Sequence, residues 1–122
     1  GDQAEQFIDP SKNAFVEVYA SKMPQGTTLE YICDKWEERA QEKNLAYAQQ
    51  RISSADYDIK GAQAVLRSYE GAVAGVAFQS YILFCYHKDT AYVVIGVFPK
   101  KLSGKYVVSV KRSVLSFRFI EP

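Results

Sequence analysis

The sequence predicts an α+β fold in which two helices pack on an antiparallel β-sheet to form a layered sandwich. The first observation is that residues 28–43 and residues 103–115 carry apolar side chains at helical spacing. The second is that the other segments are rich in aromatic and β-branched residues or alternate in polarity. They lie at residues 14–20, 45–53, 62–69, 76–87 and 91–98. The chain has 122 residues without a linker or repeat, so we predict a single domain over residues 1–122.

The N-terminal part predicts a strand followed by the first helix. Residues 1–6 are polar and are expected to fray, and residues 9–13 form a turn cluster ahead of the strand. Thr27 and Glu30 fit a capping box, in which each side chain bonds the backbone amide of the other. Asn44 tolerates left-handed geometry and ends the helix. The apolar face of this helix consists of Leu29, Ile32, Cys33, Trp36 and Ala40.

The middle of the chain predicts four strands. Residues 54–61 are polar and residues 70–75 are mostly small, so both segments predict connections. Residues 87–90 predict a tight turn between the last two strands. The final three strands therefore follow one another as an antiparallel meander.

The C-terminal segment has two competing patterns. Residues 106–108 are β-prone, but Val107, Val110, Val114 and Phe117 recur at helical spacing. We favour a helix over residues 103–115, capped by Ser103, with an extended end at residues 117–120. The valines of this helix and the apolar face of the first helix are expected to cover the sheet.

We expect no catalytic centre, metal or cofactor. His87 is the only histidine; a triad with Asp89 and either Ser80 or Ser103 is conceivable, but a turn residue is the simpler interpretation. Asp56 and Asp58 lie in the predicted turn without the ligand density of a calcium loop. Gly71 and Gly75 lack the lysine and the strand–loop–helix context of a phosphate loop. A site built from Cys33, Cys85 and His87 has no paired-cysteine spacing. Glu37 and Glu38 are adjacent and point in different directions on a helix.

The two cysteines, Cys33 and Cys85, have two interpretations. They can pair only if the helix that carries Cys33 packs on the strand that carries Cys85. Buried free thiols are the alternative that we favour, since cysteine is often a small core residue.

Two groups of residues are candidate partner-binding residues. The net charge is +1, which gives no indication of nucleic-acid binding, but residues 100–118 contain only basic charges. On a helix, Lys101, Lys105 and Arg112 would lie near one face and form a docking surface for an acidic partner or anionic lipid, or else a solvated face. Three tyrosines are predicted to line one sheet face and bind an apolar partner, or else to form ordinary cross-strand pairs. They are Tyr81, Tyr86 and Tyr92.

Three stretches resemble the PsbP-like superfamily. They are FIDP to NAFV at residues 7–16, PQGTTLE at residues 24–30, and a strand pair with AYVV at residues 91–94, a proline at residue 99 and SFRF at residues 116–119. The superfamily includes the PsbP subunit of photosystem II, a Ran-binding nuclear import factor, DcrB-type periplasmic lipoproteins and chaperones for type VI secretion effectors. Such proteins usually begin with an extra strand bearing a Pro/Gly/Trp-type segment, which this sequence lacks. An open sheet edge would then attract a second copy or a peptide strand.

The resemblance implies a non-enzymatic protein-binding or accessory module of a bacterial extracytoplasmic protein. The alternatives are a small-molecule or lipid carrier with a pocket between sheet and helix, and a chaperone for secretion effectors. We expect a periplasmic or extracellular location, an unidentified protein partner, and a homodimer as the product of an open edge. No run is long and apolar enough to span a bilayer, so membrane association is expected only through a lipoprotein leader removed upstream of Gly1.

Overall fold

The computed structural model describes residues 3–9 and 14–118 and confirms the α+β prediction. Within these residues, six strands form one antiparallel sheet in the order β1-β2-β6-β5-β4-β3, with β1 and β3 at its edges. The two helices are α1 and α2, and a short 3-10 turn precedes α2. In chain order the elements are β1 (Gln3–Asp9), β2 (Ala14–Lys22), α1 (Leu29–Glu42), β3 (Gln50–Ile59), β4 (Ala62–Val73), β5 (Val76–His87), β6 (Thr90–Pro99), the 3-10 turn (Lys100–Leu102) and α2 (Ser103–Leu115).

The two helices lie on opposite faces of the sheet, which gives three layers. Successive residues of a strand point to opposite faces, so β5 supplies Ile82 and Phe84 to the α1 face and Leu83 and Cys85 to the α2 face. Trp36 packs against the α1 face, and all four of these β5 residues are fully buried. The predicted coverage of the sheet by both helices is therefore confirmed.

The strands from β3 to β6 are joined by three two-residue turns. Both residues of each turn have positive φ, the geometry of the type I′ hairpin that matches the twist of the flanking strands. The turn residues are Lys60 and Gly61, Ala74 and Gly75, and Lys88 and Asp89. Antiparallel pairing of β4 with β5 and of β5 with β6 confirms the predicted meander.

The predicted N-terminal cap of α1 is wrong by one residue, whereas the predicted end of the helix at Asn44 is confirmed. The N-cap is Thr28, whose side chain accepts from the Tyr31 amide at 3.1 Å, so the capping box at Thr27 is wrong by one residue. Thr27 instead donates its hydroxyl to the Pro24 carbonyl. Asn44 has φ 53° and donates its amide to Gln41, as the left-handed residue that closes a Schellman motif.

Several predicted strand boundaries differ from those in the structure, and each difference has a physical reason. Residues 3–6 belong to β1 and pair with residues 17–20 of β2, since backbone pairing does not require apolar side chains. The third strand is Gln50–Ile59 rather than residues 45–53, and it runs through the predicted polar turn. As an edge strand with nine exposed residues, β3 has no apolar periodicity to reveal it. β4 likewise continues to Val73, through much of the predicted connection.

Helix α2 spans residues 103–115 as predicted, and Gly96 allows it to approach the sheet. A Cβ at Gly96 would lie 2.5 Å from Val110 Cγ1 and 2.7 Å from Val114 Cγ2. The N-cap is Leu102, without a side-chain cap bond, so the predicted cap at Ser103 is wrong. Of the predicted extended end, residues 119–120 lie outside the described residues, as do residues 10–13 of the predicted turn.

Candidate functional site

A groove beside α2 combines an apolar wall with basic side chains. It has a volume of about 540 Å³, and we call it the α2 groove. Its lining consists of Tyr81 of β5 with Val107, Val108, Lys111, Arg112, Leu115 and Ser116. Val108 is 63% exposed, the highest value among the large apolar side chains that the structure describes. The groove therefore offers apolar area that the described residues leave uncovered.

Among the residues that the structure describes, the basic side chains around this groove are largely without acidic partners. Lys111 lies over the Tyr81 ring, with Nζ 5.7 Å from its centroid. Arg112 is exposed and makes no ion pair within residues 14–118. Lys105 is seven residues before Arg112 and so lies near the same helical face, while Lys101 lies in the preceding 3-10 turn. All three predicted basic residues are exposed, but only Arg112 lines the α2 groove.

The predicted tyrosine surface is only partly correct in its geometry. Tyr81 and Tyr92 both lie on the α2 face, where Tyr81 stacks on Phe98 with 6.2 Å between centroids. Tyr92 packs on Phe117 at 5.3 Å. Tyr86 lies on the α1 face, because it is an odd number of residues from Tyr81 along β5. The prediction that the three rings share one face is therefore wrong for Tyr86.

The α1 face carries an ionic network around a buried arginine that the sequence did not predict. Arg67 of β4 is 8% exposed. Its Nη2 lies 3.2 Å from Asp34 Oδ1, and its Nη1 lies 3.5 Å from Glu37 Oε1. Glu37 also contacts Arg51 Nε at 3.2 Å and accepts a hydrogen bond from the Tyr69 hydroxyl at 2.9 Å. Burial, together with this bond to a carboxylate, raises the pKa of Tyr69 well above its usual value.

This network fastens α1 to β3 and β4. Glu37 faces the sheet with 16% of its side chain exposed, whereas Glu38 is 57% exposed and pairs with Lys35. The expected divergence of these two carboxylates is confirmed. The sequence does contain a signal for this network. Arg67 occupies an inward position between Val65 and Tyr69 in an alternating strand, and a charge at such a position needs a buried partner.

Both cysteines are buried free thiols on opposite faces of the sheet. Cys33 packs in the α1-face core and Cys85 in the α2-face core, so the disulfide alternative is wrong. Burial raises the pKa of each thiol to about 11. Both thiols are therefore protonated at neutral pH and are weak nucleophiles.

The residues that could have formed a catalytic triad or metal site are not brought together. Ser80 is buried on the α1 face and donates to the Tyr47 carbonyl at 2.8 Å, whereas Ser103 begins α2 on the other face. His87 ends β5, about 23 Å of extended strand from Ser80. Among the described residues, no group of three or more His, Cys, Asp and Glu side chains could hold a metal ion.

A second depression lies between the start of α1 and the edge strand β3. Its volume is about 610 Å³. Asp56 and Asp58 belong to β3 rather than to a loop, which corrects the prediction, and line this depression with Glu30 and Arg67. Asp58 accepts from the Gly61 amide at 2.8 Å and so supports the hairpin turn. Gly75 lies in the next hairpin turn and Gly71 within β4.

The three layers and the α2 groove define an α+β protein with an exposed apolar and basic surface beside its second helix. Within residues 3–9 and 14–118, no helix meets the length and apolarity that a membrane span requires. Neither a protein-family model nor a curated protein sequence matches the chain.

Two solved structures share this architecture. One is the crystal structure of PA94 from Pseudomonas aeruginosa, a protein of unknown function and candidate regulator. It has a TM-score of 0.71 and 12% identity, over 100% of this chain and 86% of that one. The other is the solution structure of the cyanobacterial PsbP, CyanoP, from Synechocystis sp. PCC 6803. Its TM-score is 0.72 with 13% identity, over 94% of this chain and 73% of that one. The chain therefore has the PsbP-like fold that its sequence resembles.

Proposed function

We propose that the chain is a non-enzymatic protein-binding module whose α2 groove takes an acidic, apolar segment of a partner protein. The observation that carries this proposal is the exposed apolar wall at Val108, flanked by basic side chains that lack acidic partners among the described residues. Lys100 shows the contrast, because it lies 3.3 Å from Glu70 and is already paired.

The composition of the groove suits a protein partner. Tyrosine and arginine are enriched at binding hot spots, and aliphatic side chains such as Val107 and Leu115 add area whose burial is favourable by about 25 cal/mol per Å². Basic side chains around an apolar centre speed association with an acidic segment and select against basic ones. Binding should therefore weaken as salt is added.

The test uses labelled synthetic peptides and fluorescence anisotropy. One peptide is amphipathic with leucine and glutamate, and its matched counterpart has lysine in place of glutamate. We expect the acidic peptide to bind saturably and the basic one not to bind. Both K111E/R112E and Val108→Asp should weaken the acidic peptide at least tenfold, while the charge-matched K22E/K60E control retains binding. Circular dichroism confirms that each variant is folded.

Three results would contradict the proposal. They are equal affinity for the two peptides, full affinity of K111E/R112E, and binding of phosphatidylglycerol vesicles in place of the acidic peptide. The last result would assign the surface to anionic lipid instead.

The location and assembly state are proposed with this function. The resemblance to the PsbP-like superfamily supports a periplasmic or extracellular accessory role, and a secretion effector is one kind of partner that fits it. Cell fractionation tests the location. A homodimer through a sheet edge stays a prediction, which light scattering after size-exclusion chromatography tests.

A further inference from the structure

A third depression lies on the α1 face, between α1 and strands β2 and β6. Its volume is about 380 Å³, within the range of small-molecule pockets. We call it the Trp36 cleft. It is lined by Tyr19, Ser21, Trp36, Arg39, Ala40, Lys43, Leu45, Tyr47, Val93 and Ile95. This cleft is separated from the α2 groove by the sheet itself, so the two sites are independent.

The aromatic walls of the cleft are held in place from behind. Trp36 packs on Tyr69 and Phe84, with ring centroids 5.7 Å and 5.6 Å away. Tyr47 makes an edge contact with Phe15 at 6.3 Å, and its carbonyl accepts from the Ser80 hydroxyl. Rings fixed in this way can stack on a ligand with little loss of conformational freedom.

Two cations stand at the rim of this aromatic and apolar cleft. Arg39 and Lys43 are exposed, and neither makes an ion pair within the part of the chain that the structure describes. Glu17, on the same strand as Tyr19, accepts a hydrogen bond from the Tyr19 hydroxyl. Both cations also suit the C-terminal end of α1, where they offset the helix dipole. That role explains their charge but not their place on an aromatic cleft.

We propose that the Trp36 cleft binds a small organic anion, with an apolar or aromatic body lying against Trp36 and Tyr47 and a carboxylate-type head between Arg39 and Lys43. The body would bury the exposed parts of the rings and of Val93. The head group would supply the negatively charged partner that Arg39 and Lys43 lack among the described residues. A matching cation would meet repulsion at the same place, so the sign of the head group determines affinity.

The experiment uses the whole chain and its only tryptophan. Anilinonaphthalene sulfonate serves as a fluorescent aromatic anion, and decanoate as its competitor, with emission of Trp36 as the second signal. We expect saturable binding, displacement by decanoate, and no displacement by decylamine, which carries the opposite charge. R39Q/K43Q should weaken decanoate by about fivefold or more, the size of two partly exposed charge pairs.

Two further variants separate binding from stability. Ser21→Phe fills the cleft and leaves both cations in place, so it should abolish decanoate binding while the protein still melts cooperatively. K22Q/K60Q removes two positive charges elsewhere and should leave decanoate affinity unchanged. The proposal is overturned if decylamine competes as well as decanoate, if R39Q/K43Q binds decanoate normally, or if no probe binds up to about 1 mM.

Discussion

Replacing Glu37 by glutamine tests whether the buried network on the α1 face stabilises the fold. The substitution keeps the shape of the side chain but removes the charge that faces Arg51, Arg67 and Tyr69 at 3.2, 3.5 and 2.9 Å. Arg67, with 9% of its side chain exposed, then retains Asp34 as its acidic partner, which is itself 58% exposed, and its Nε still donates to Ser54 Oγ at 3.4 Å.

The size of the effect follows from these contacts. Hydrogen bonds to charged groups contribute about 1.5–3 kcal/mol each, and a buried charge that loses its partner is costly. The glutamine oxygen still accepts from Tyr69, so the expected loss lies in the lower part of that range. We expect the free energy of unfolding to fall by about 2 kcal/mol, which lowers Tm by roughly 6–10 °C for a domain of this size.

Urea denaturation followed by Trp36 emission and circular dichroism measures this change. Trp36 is a suitable reporter because it packs on Tyr69 beside the network. Glu38→Gln is the matched control on the adjacent residue, because among the described residues Glu38 makes an ion pair only with Lys35, on the surface. This substitution should cost less than about 0.5 kcal/mol. If the Glu37 and Glu38 variants differ by less than about 0.5 kcal/mol, the network does not fasten α1 to the sheet.

Three further predictions concern the core and its pH dependence. Gly96→Ala should lower stability by about 2 kcal/mol in thermal melts, because its Cβ would overlap two valines of α2; an unchanged Tm would show that α2 shifts freely. Cys33 and Cys85 should resist a disulfide reagent at mildly alkaline pH in the folded protein and react in concentrated urea, because burial keeps both protonated; rapid labelling of the folded protein would contradict their burial. Burial raises the pKa of Tyr47 from 10.0 to about 12, so the stability that its neutral form contributes is complete below pH 10.0 and is lost as pH rises toward 12. Tyr47→Phe should make the free energy of unfolding fall less steeply over this pH range. An equal fall in the variant and the parent would refute the assignment of this pH dependence to Tyr47.

The sequence predicted the elements whose pattern is local. Helix α2 was found because its valines repeat at helical spacing even though residues 106–108 are β-prone. Strands β5 and β6 were found because they are β-prone throughout and meet at a tight turn. In each case the residues that determine the element lie within it, so no knowledge of its neighbours was required.

The elements that were missed depend on neighbours. β3 lies at the sheet edge with most of its residues exposed, so its position is determined by pairing with β4 rather than by its own polarity. The network around Arg67 requires α1 to lie over β4, because Arg67 is 33 residues from Asp34 in the chain. The placement of Tyr86 is different: strict alternation along β5 already separates it from Tyr81, so that error was avoidable.

The candidate sites divide in the same way, into features with a local sequence pattern and features that depend on the packing of distant segments. The sequence identified the basic residues beside α2, because their charge is uniform over a continuous segment. Val108 was not named as a candidate, although the helical spacing of Val107, Val110 and Val114 already places it on the opposite side of the helix. The Trp36 cleft combines side chains from β2, α1, β6 and the segment after α1, and only the packed structure assembles them.

The two-residue turns that join β3 to β6 have a consequence for the order in which the chain folds. Each of these hairpins closes a very short loop, so this half of the sheet can form by successive zipping. Strand β2 is different, because Lys22 pairs with Thr90 and the whole of α1 to β5 lies between them. We expect substitutions in β4 and β5 to slow refolding, and substitutions in β2 mainly to speed unfolding.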